Sequence, residues 1–242
     1  MSGTVHLRYE ILRTLRNRTI LAVTLALPLV LYYAVAPSNR HSLADGISFP
    51  LYFMAGMAAY GAMFAAVTPG AHIAADRSSG WTREMRITPL RPGTYFSAKV
   101  VTSYLIAIPT LVLLYLAGTT LGVRLDATQW LKMTGLLLLG LAPFVVLGII
   151  IGHLASSTSL TPLVGGTVVI FSLLGGGFGD YFTGGVMQTI VRLLPSYWLV
   201  QAGKIARGGG GWPAEGWLVV AIWVIVLVPL AVLAYRRDTS RG

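Results

Sequence analysis

Six stretches of this chain, Thr19–Ala36, Pro50–Ala74, Val100–Leu121, Met133–Ile151, Thr161–Phe178 and Trp217–Tyr235, contain no Asp, Glu, Lys or Arg. Crossing a bilayer as a helix takes roughly 20 mostly apolar residues, and each stretch is about that long. Pro28, Pro109, Pro143 and Pro229 fall inside these runs; membrane helices tolerate proline where neighbours re-satisfy the freed backbone groups. Only 11% of the 242 residues are charged, against about a quarter in a soluble domain. The mean hydropathy is +0.72. These features predict an all-α membrane protein with six transmembrane helices, forming a single domain over residues 1–242.

The formal net charge of +10 does not mark a nucleic-acid binder, because the cations sit at the ends of the apolar runs. Six spans place both termini on one side. Of the 18 Lys and Arg residues, 12 fall on that side, among them Arg8, Arg13, Arg16, Arg18, Arg83, Arg86, Lys99 and Arg236. The other six are Arg40, Arg124, Lys132, Arg192, Lys204 and Arg207. The positive-inside rule then predicts cytoplasmic termini in a plasma membrane. The first apolar run shows no small-residue cleavage site and reads as a retained first helix.

Between the spans the chain has more structure than plain loops. Residues 4–18, "TVHLRYEILRTLRNR", put Leu7, Ile11, Leu15, Leu12, Val5 and Tyr9 on one helical arc and His6, Glu10, Arg13, Thr14 and Asn17 on another. That pattern suits a helix lying in the membrane interface, although a basic flank to the first span has the same composition. Residues 37–49 and 122–132 read as outer loops, and 152–160 as a short inner one. Residues 179–216 are long and largely apolar, but Arg192, Lys204, Pro195 and Gln201 argue against a seventh span. They predict a broken outer hairpin of two short helices, about 186–194 and 197–206, interrupted at Pro195.

The sequence has no visible catalytic apparatus. It contains no cysteine, no G-x-x-x-x-G-K-S/T phosphate loop, no G-x-S-x-G and no H-x-x-x-H spacing, and His6, His41, His72 and His153 are scattered. No phosphate cradle or zinc site is therefore expected in this chain, which excludes ATP hydrolysis by this chain alone. The span cores also lack the ionisable groups that proton-coupled transporters commonly keep in the bundle. Phe53, Met57, Tyr60 and Phe64 recur on one face of the second span. Such a stripe can line a greasy substrate path or serve ordinary packing. Ala55/Ala59 and Ala58/Ala62/Ala66 are small-residue faces that permit close helix approach.

One stretch breaks the apolar pattern. "DRSSGWTREMRITPLRP", Asp76 to Pro92, carries six charged residues between the second and third spans. Insertion costs of about 2.5–3.5 kcal/mol per charge exclude it from lipid, so it faces water or another protein. A short helix over Ser79–Arg86 is expected, stopped by Pro89 and Pro92. Trp81 and Met85 share its face with Arg83, Glu84 and Arg86 around them. An exposed tryptophan in a charged rim can anchor a partner or rest among lipid headgroups.

This segment resembles the corresponding loop of ABC-2 type permeases. The matching positions are Asp76-Arg77, Ser79-Gly80, Arg86, Thr88-Pro89-Leu90 and the following Lys99, while "LLPSYW" at 193–198 is similar to the family's proline-bearing outer segment. Trp81 stands where a small or hydroxyl residue is common. The resemblance implies the membrane subunit of a bacterial exporter that works as a pair, with a second copy or a homologue. A separate ATPase subunit would carry ATP and Mg. The cytoplasmic coupling helix would be docked there through Asp76, Arg77, Gly80, Trp81, Arg83, Glu84 and Arg86. Pro195, Tyr197 and Trp198 would form an outer gate. The implied cargo is amphipathic or hydrophobic: a drug, an antibiotic or a lipid. The competing classes are a secondary transporter or channel not driven by ATP, and a non-transporting assembly protein.

Overall fold

The computed structural model describes residues 18–44, 46–78, 92–156, 158–179, 184–203 and 211–240. The helix expected over Ser79–Arg86 lies outside them, as does the interfacial helix expected over residues 4–18 apart from Arg18, which begins the first described helix. The described chain is almost entirely helical: α1 (Arg18–Val35), α2 (Phe49–Ala71), α3 (Ile73–Ser78), α4 (Pro92–Thr120), α5 (Ala127–Gly140), α6 (Ala142–Leu154), α7 (Leu160–Leu174), α8 (Gly185–Arg192), α9 (Pro195–Gln201) and α10 (Ala214–Ser240).

Among the described residues, four helical runs are long and apolar enough to cross a membrane: Phe49–Asp76, Phe96–Thr120, Ala127–Leu154 and Ala214–Arg237. Leu160–Leu174 is apolar but shorter. It stops four residues before the expected end of the fifth span, because the chain enters a glycine-rich turn in which Gly176 adopts φ 82°. Glycine takes that left-handed conformation without a Cβ penalty. The fourth run starts earlier than expected, at Ala127. Asp126 caps it, accepting from the Gln129 amide at 2.8 Å while the Gln129 side chain accepts from the Asp126 amide at 3.0 Å. This reciprocal capping box satisfies two donors at the helix start. The expected loop at 37–49 is also more ordered, with a 3-10 turn at Pro37–Asn39 and a small antiparallel ladder pairing Leu43–Ala44 with Ile47–Ser48.

Helix α2 is the centre of the bundle and packs against α1, α4, α6, α7 and α9. Every residue from 50 to 71 is buried except Phe64. The cause is its alanine and glycine content, which lets neighbours close in from all sides. A Cβ on Gly70 would strike the backbone of Gly148 and Ile149 on α6, and a Cβ on Gly152 the carbonyl of Gly70. Gly148 and Gly152 form a G-x-x-x-G face, which permits backbone-to-backbone approach of membrane helices. On another side, Gly61 leaves room for Pro28 of α1 and Thr110 of α4.

Hydroxyls of α4 bond both within the helix and to its neighbours: the Thr120 and Tyr33 hydroxyls meet at 3.0 Å, and Tyr104 donates 3.0 Å to the Leu138 carbonyl of α5. Thr102, Thr110, Thr119 and Thr120 donate back to carbonyls of their own helix. Ser103 instead donates 2.9 Å across to the Ala66 carbonyl of α2. Helix α10 is the reverse of α2: it packs on α6 and α9 and leaves Leu218, Ile222, Ile225, Val226 and Leu233 exposed. Apolar side chains on so long a face suit lipid contact.

Candidate functional site

At one end of the bundle the last turns of α3, α6 and α10 meet the first turns of α4. Ile73, Ile149 and Ala231 form a small core there, with Phe96, Val146 and Ile150 packed around it. Tyr235 of α10 takes Phe96 and His153 edge-on, at centroid distances of 5.4 and 5.6 Å. Beside this cluster the Lys99 ammonium lies 3.5 Å from an Asp76 carboxylate oxygen. Lys99 is 1% exposed and Asp76 3%. Asp76 ends the second apolar run and Lys99 lies near the start of the third, so the pair joins the two stems of residues 79–91.

The structure therefore qualifies the expectation for the charged segment. Asp76 is not in water; it is neutralised inside the chain. Arg77 lies in α3, one residue further along. Gly80, Trp81, Arg83, Glu84 and Arg86 lie outside the described residues.

The aromatic stripe of α2 is core. Phe53 stacks on Phe49 and Tyr32 at 5.6 and 6.4 Å, Tyr60 meets Phe178 edge-on at 5.6 Å, and Met57 is fully buried. Phe64 alone of the four is half-buried.

At the other end, the region expected to break at Pro195 consists of α8 and α9, with Pro195 as the first residue of α9. Proline is suited to that position because its missing N–H would be unpaired anyway. Trp198 of α9 is buried and its indole N–H donates 2.8 Å to the Arg192 carbonyl. Trp223 of α10 donates 2.8 Å to the Leu193 carbonyl. Two indoles thus occupy carbonyls that the end of α8 leaves without helical partners. Trp198 also fills the notch left by Gly216, and Tyr197 lies edge-on to it at 5.1 Å. Pro195 and Trp198 are buried and Tyr197 half-buried.

Beneath this hairpin the backbone of 175–177 runs close to α2. The Tyr52 hydroxyl donates 3.3 Å to the Gly176 carbonyl, and a Cβ on Gly56 would strike the Gly177 carbonyl. Among the described residues no group of three His, Asp or Glu side chains gathers as a metal site. What the arrangement offers is mechanical: two ends of an apolar bundle, each tied by buried polar contacts, with α2 running between them.

Sequence reasoning had the alanine faces of α2 but not the G-x-x-x-G of α6, whose spacing was there to read. It had Lys99 as a segment boundary but not as the partner of Asp76. No local signal announces Trp223 as a cap.

Comparison with known proteins agrees with this architecture. The chain is 28% identical over 206 residues to "Putative transport permease YvfS" of Bacillus subtilis (strain 168), covering 83% of each chain. The sequence profile of the ABC-2 type transporter family matches residues 4–206. A multi-pass helical bundle whose match runs unbroken through the charged segment and its buried stem pair belongs, on that evidence, to the ABC-2 type transporter family.

Proposed function

We propose that this chain is the membrane-spanning permease subunit of an ATP-driven exporter, with ATP and Mg handled by a separate ATPase chain. The observation that carries the proposal is the charged segment 76–92: it interrupts an apolar chain, lies within the family match, and has its two stems fixed together by Asp76 and Lys99. An active exporter without a phosphate loop of its own draws its energy from elsewhere. A firmly based charged projection is a suitable place to receive one. The residues proposed to meet the ATPase are Arg77, Gly80, Trp81, Arg83, Glu84 and Arg86, with Asp76 behind them.

In this reading the membrane carries six spans with α1 and α7 among them. Both termini and segment 76–92 face the cytoplasm. The permease acts with a second copy or a homologue, and the cargo is amphipathic or hydrophobic. The α8–α9 hairpin, with Pro195, Tyr197 and Trp198, closes the outer end. Phe53, Met57 and Tyr60 shape the core, and half-buried Phe64 is the member of the stripe proposed to touch cargo.

The test is affinity purification of the tagged chain from its native membrane in mild detergent, followed by mass spectrometry. A stoichiometric ATP-binding subunit supports the proposal. Its absence from a preparation that still transports refutes it.

A further inference from the structure

We propose that Asp76 and Lys99 are positioning residues: a buried ionic strut that makes the two stems of segment 79–91 move as one body and so carries a displacement of that segment into the bundle. The inference rests on the functional reading above. It assigns Asp76 a role inside the chain, in place of contact with a partner.

The geometry comes in two rungs. Ser103 donates to the Ala66 carbonyl at 2.9 Å, tying α4 to α2 within the bundle. One helical turn nearer the segment, Lys99 meets Asp76 at 3.5 Å. Residues four apart lie on one helix face, so both rungs belong to the same face of α4. Ala98, Thr102 and Ile106 on that side are also buried. The ionic rung joins the end of the second apolar run to the first turns of α4, close to where the chain leaves for residue 79 and returns.

Its chemistry decides what it can do. Both groups are withdrawn from water, so neither charge has solvent to turn to if the stems slide or rotate apart. Exposed ion pairs exchange partners at little cost; a desolvated one resists separation strongly. Replacing such a pair by apolar residues of similar volume is commonly neutral for stability. That allows the mechanical role to be separated from folding. A pair kept only for stability could be replaced this way without loss; a strut could not.

The chain contains no cysteine, so a single introduced thiol reports one place. Val186 on α8 is exposed and lies at the opposite end. Val186→Cys labelled with bimane, in the purified permease–ATPase complex, reads the response of that end to ATP. The variants are Asp76→Asn, Lys99→Gln, the swap Asp76→Lys with Lys99→Asp, and the apolar pair Asp76→Leu with Lys99→Met. The single variants and the apolar pair are expected to retain the ATPase but lose the ATP-dependent bimane change by at least five-fold. The apolar pair should do so with an unfolding temperature near that of the parent. The swap is expected to restore the response. A folded apolar pair that responds like the parent overturns the strut, as does a folded swap that stays silent. Loss of the ATPase from Asp76→Asn would make Asp76 a direct contact and also overturn it. A parent protein that shows no nucleotide response refutes the functional reading, and the strut's role with it.

Discussion

The indole N–H of Trp198 reaches the carbonyl of Arg192 at 2.8 Å, across the break between α8 and α9. That contact and its counterpart from Trp223 to Leu193 hold a proline-broken hairpin as one piece against α10. Trp198→Phe removes the donor and keeps most of the ring, losing one part-buried hydrogen bond at a cost of about 0.5–1.5 kcal/mol. Trp198→Ala adds a cavity, for a total of about 3–5 kcal/mol. Thermal unfolding in detergent should rank the parent above Trp198→Phe and both above Trp198→Ala.

Glycines in this chain fall into two classes that a substitution should separate. Gly148→Ala and Gly152→Ala push a methyl into the backbone of α2, and overpacking there costs about 1–3 kcal/mol. Gly165→Ala and Gly166→Ala on α7 meet nothing within 4 Å, and helix propensity favours alanine over glycine by up to about 1 kcal/mol. The yield of monodisperse protein should fall for the first pair and hold or rise for the second.

Ser103→Ala loses a buried hydroxyl bond that crosses from α4 to the α2 backbone. Interhelical hydrogen bonds in membranes average about 0.6 kcal/mol, so a small but measurable fall in unfolding temperature is expected. Thr110→Val removes a bond within the helix and should leave the temperature nearly unchanged.

Trp81→Ala combined with Glu84→Ala is expected to cut co-purification of the ATPase at least ten-fold while membrane insertion and detergent stability stay at parental levels. Retention of the ATPase by the double variant would place the docking surface elsewhere.

How much of this was legible beforehand depends on whether the cause is local. Long charge-free runs announce helices, because bilayer thickness sets their length and nothing distant can override it. Pro195 predicted the hairpin break for the same local reason. Boundaries were less legible. The fifth expected span ran to Phe178, but Gly176 ends α7 at Leu174; the fourth was begun at Met133, although the Asp126–Gln129 box pointed to an earlier start. The site was legible as a charged segment, but its buried ion pair was not. Asp76 and Lys99 are 23 positions apart, and only the packing of α3 against its neighbours reveals that one neutralises the other. The expectation that the segment's charges face water or a partner does not extend to Asp76, which is buried against an internal counter-ion instead. The aromatic stripe of α2 offered two readings, and burial on all sides decides for packing at three of its four members.

Helix α2 carries a consequence for how the protein is made. Of the four long apolar runs, the one that contains it is the least apolar, yet 94% of its most apolar window is buried, against 28% for the run in α10. Its small side chains give it a weaker affinity for lipid than the other three runs have. During synthesis it is expected to gain its cover only once α4 and α6 have followed it. A chain stalled before α6 presents bare alanine and glycine to the bilayer, and quality-control proteases should read that surface as an unfinished product.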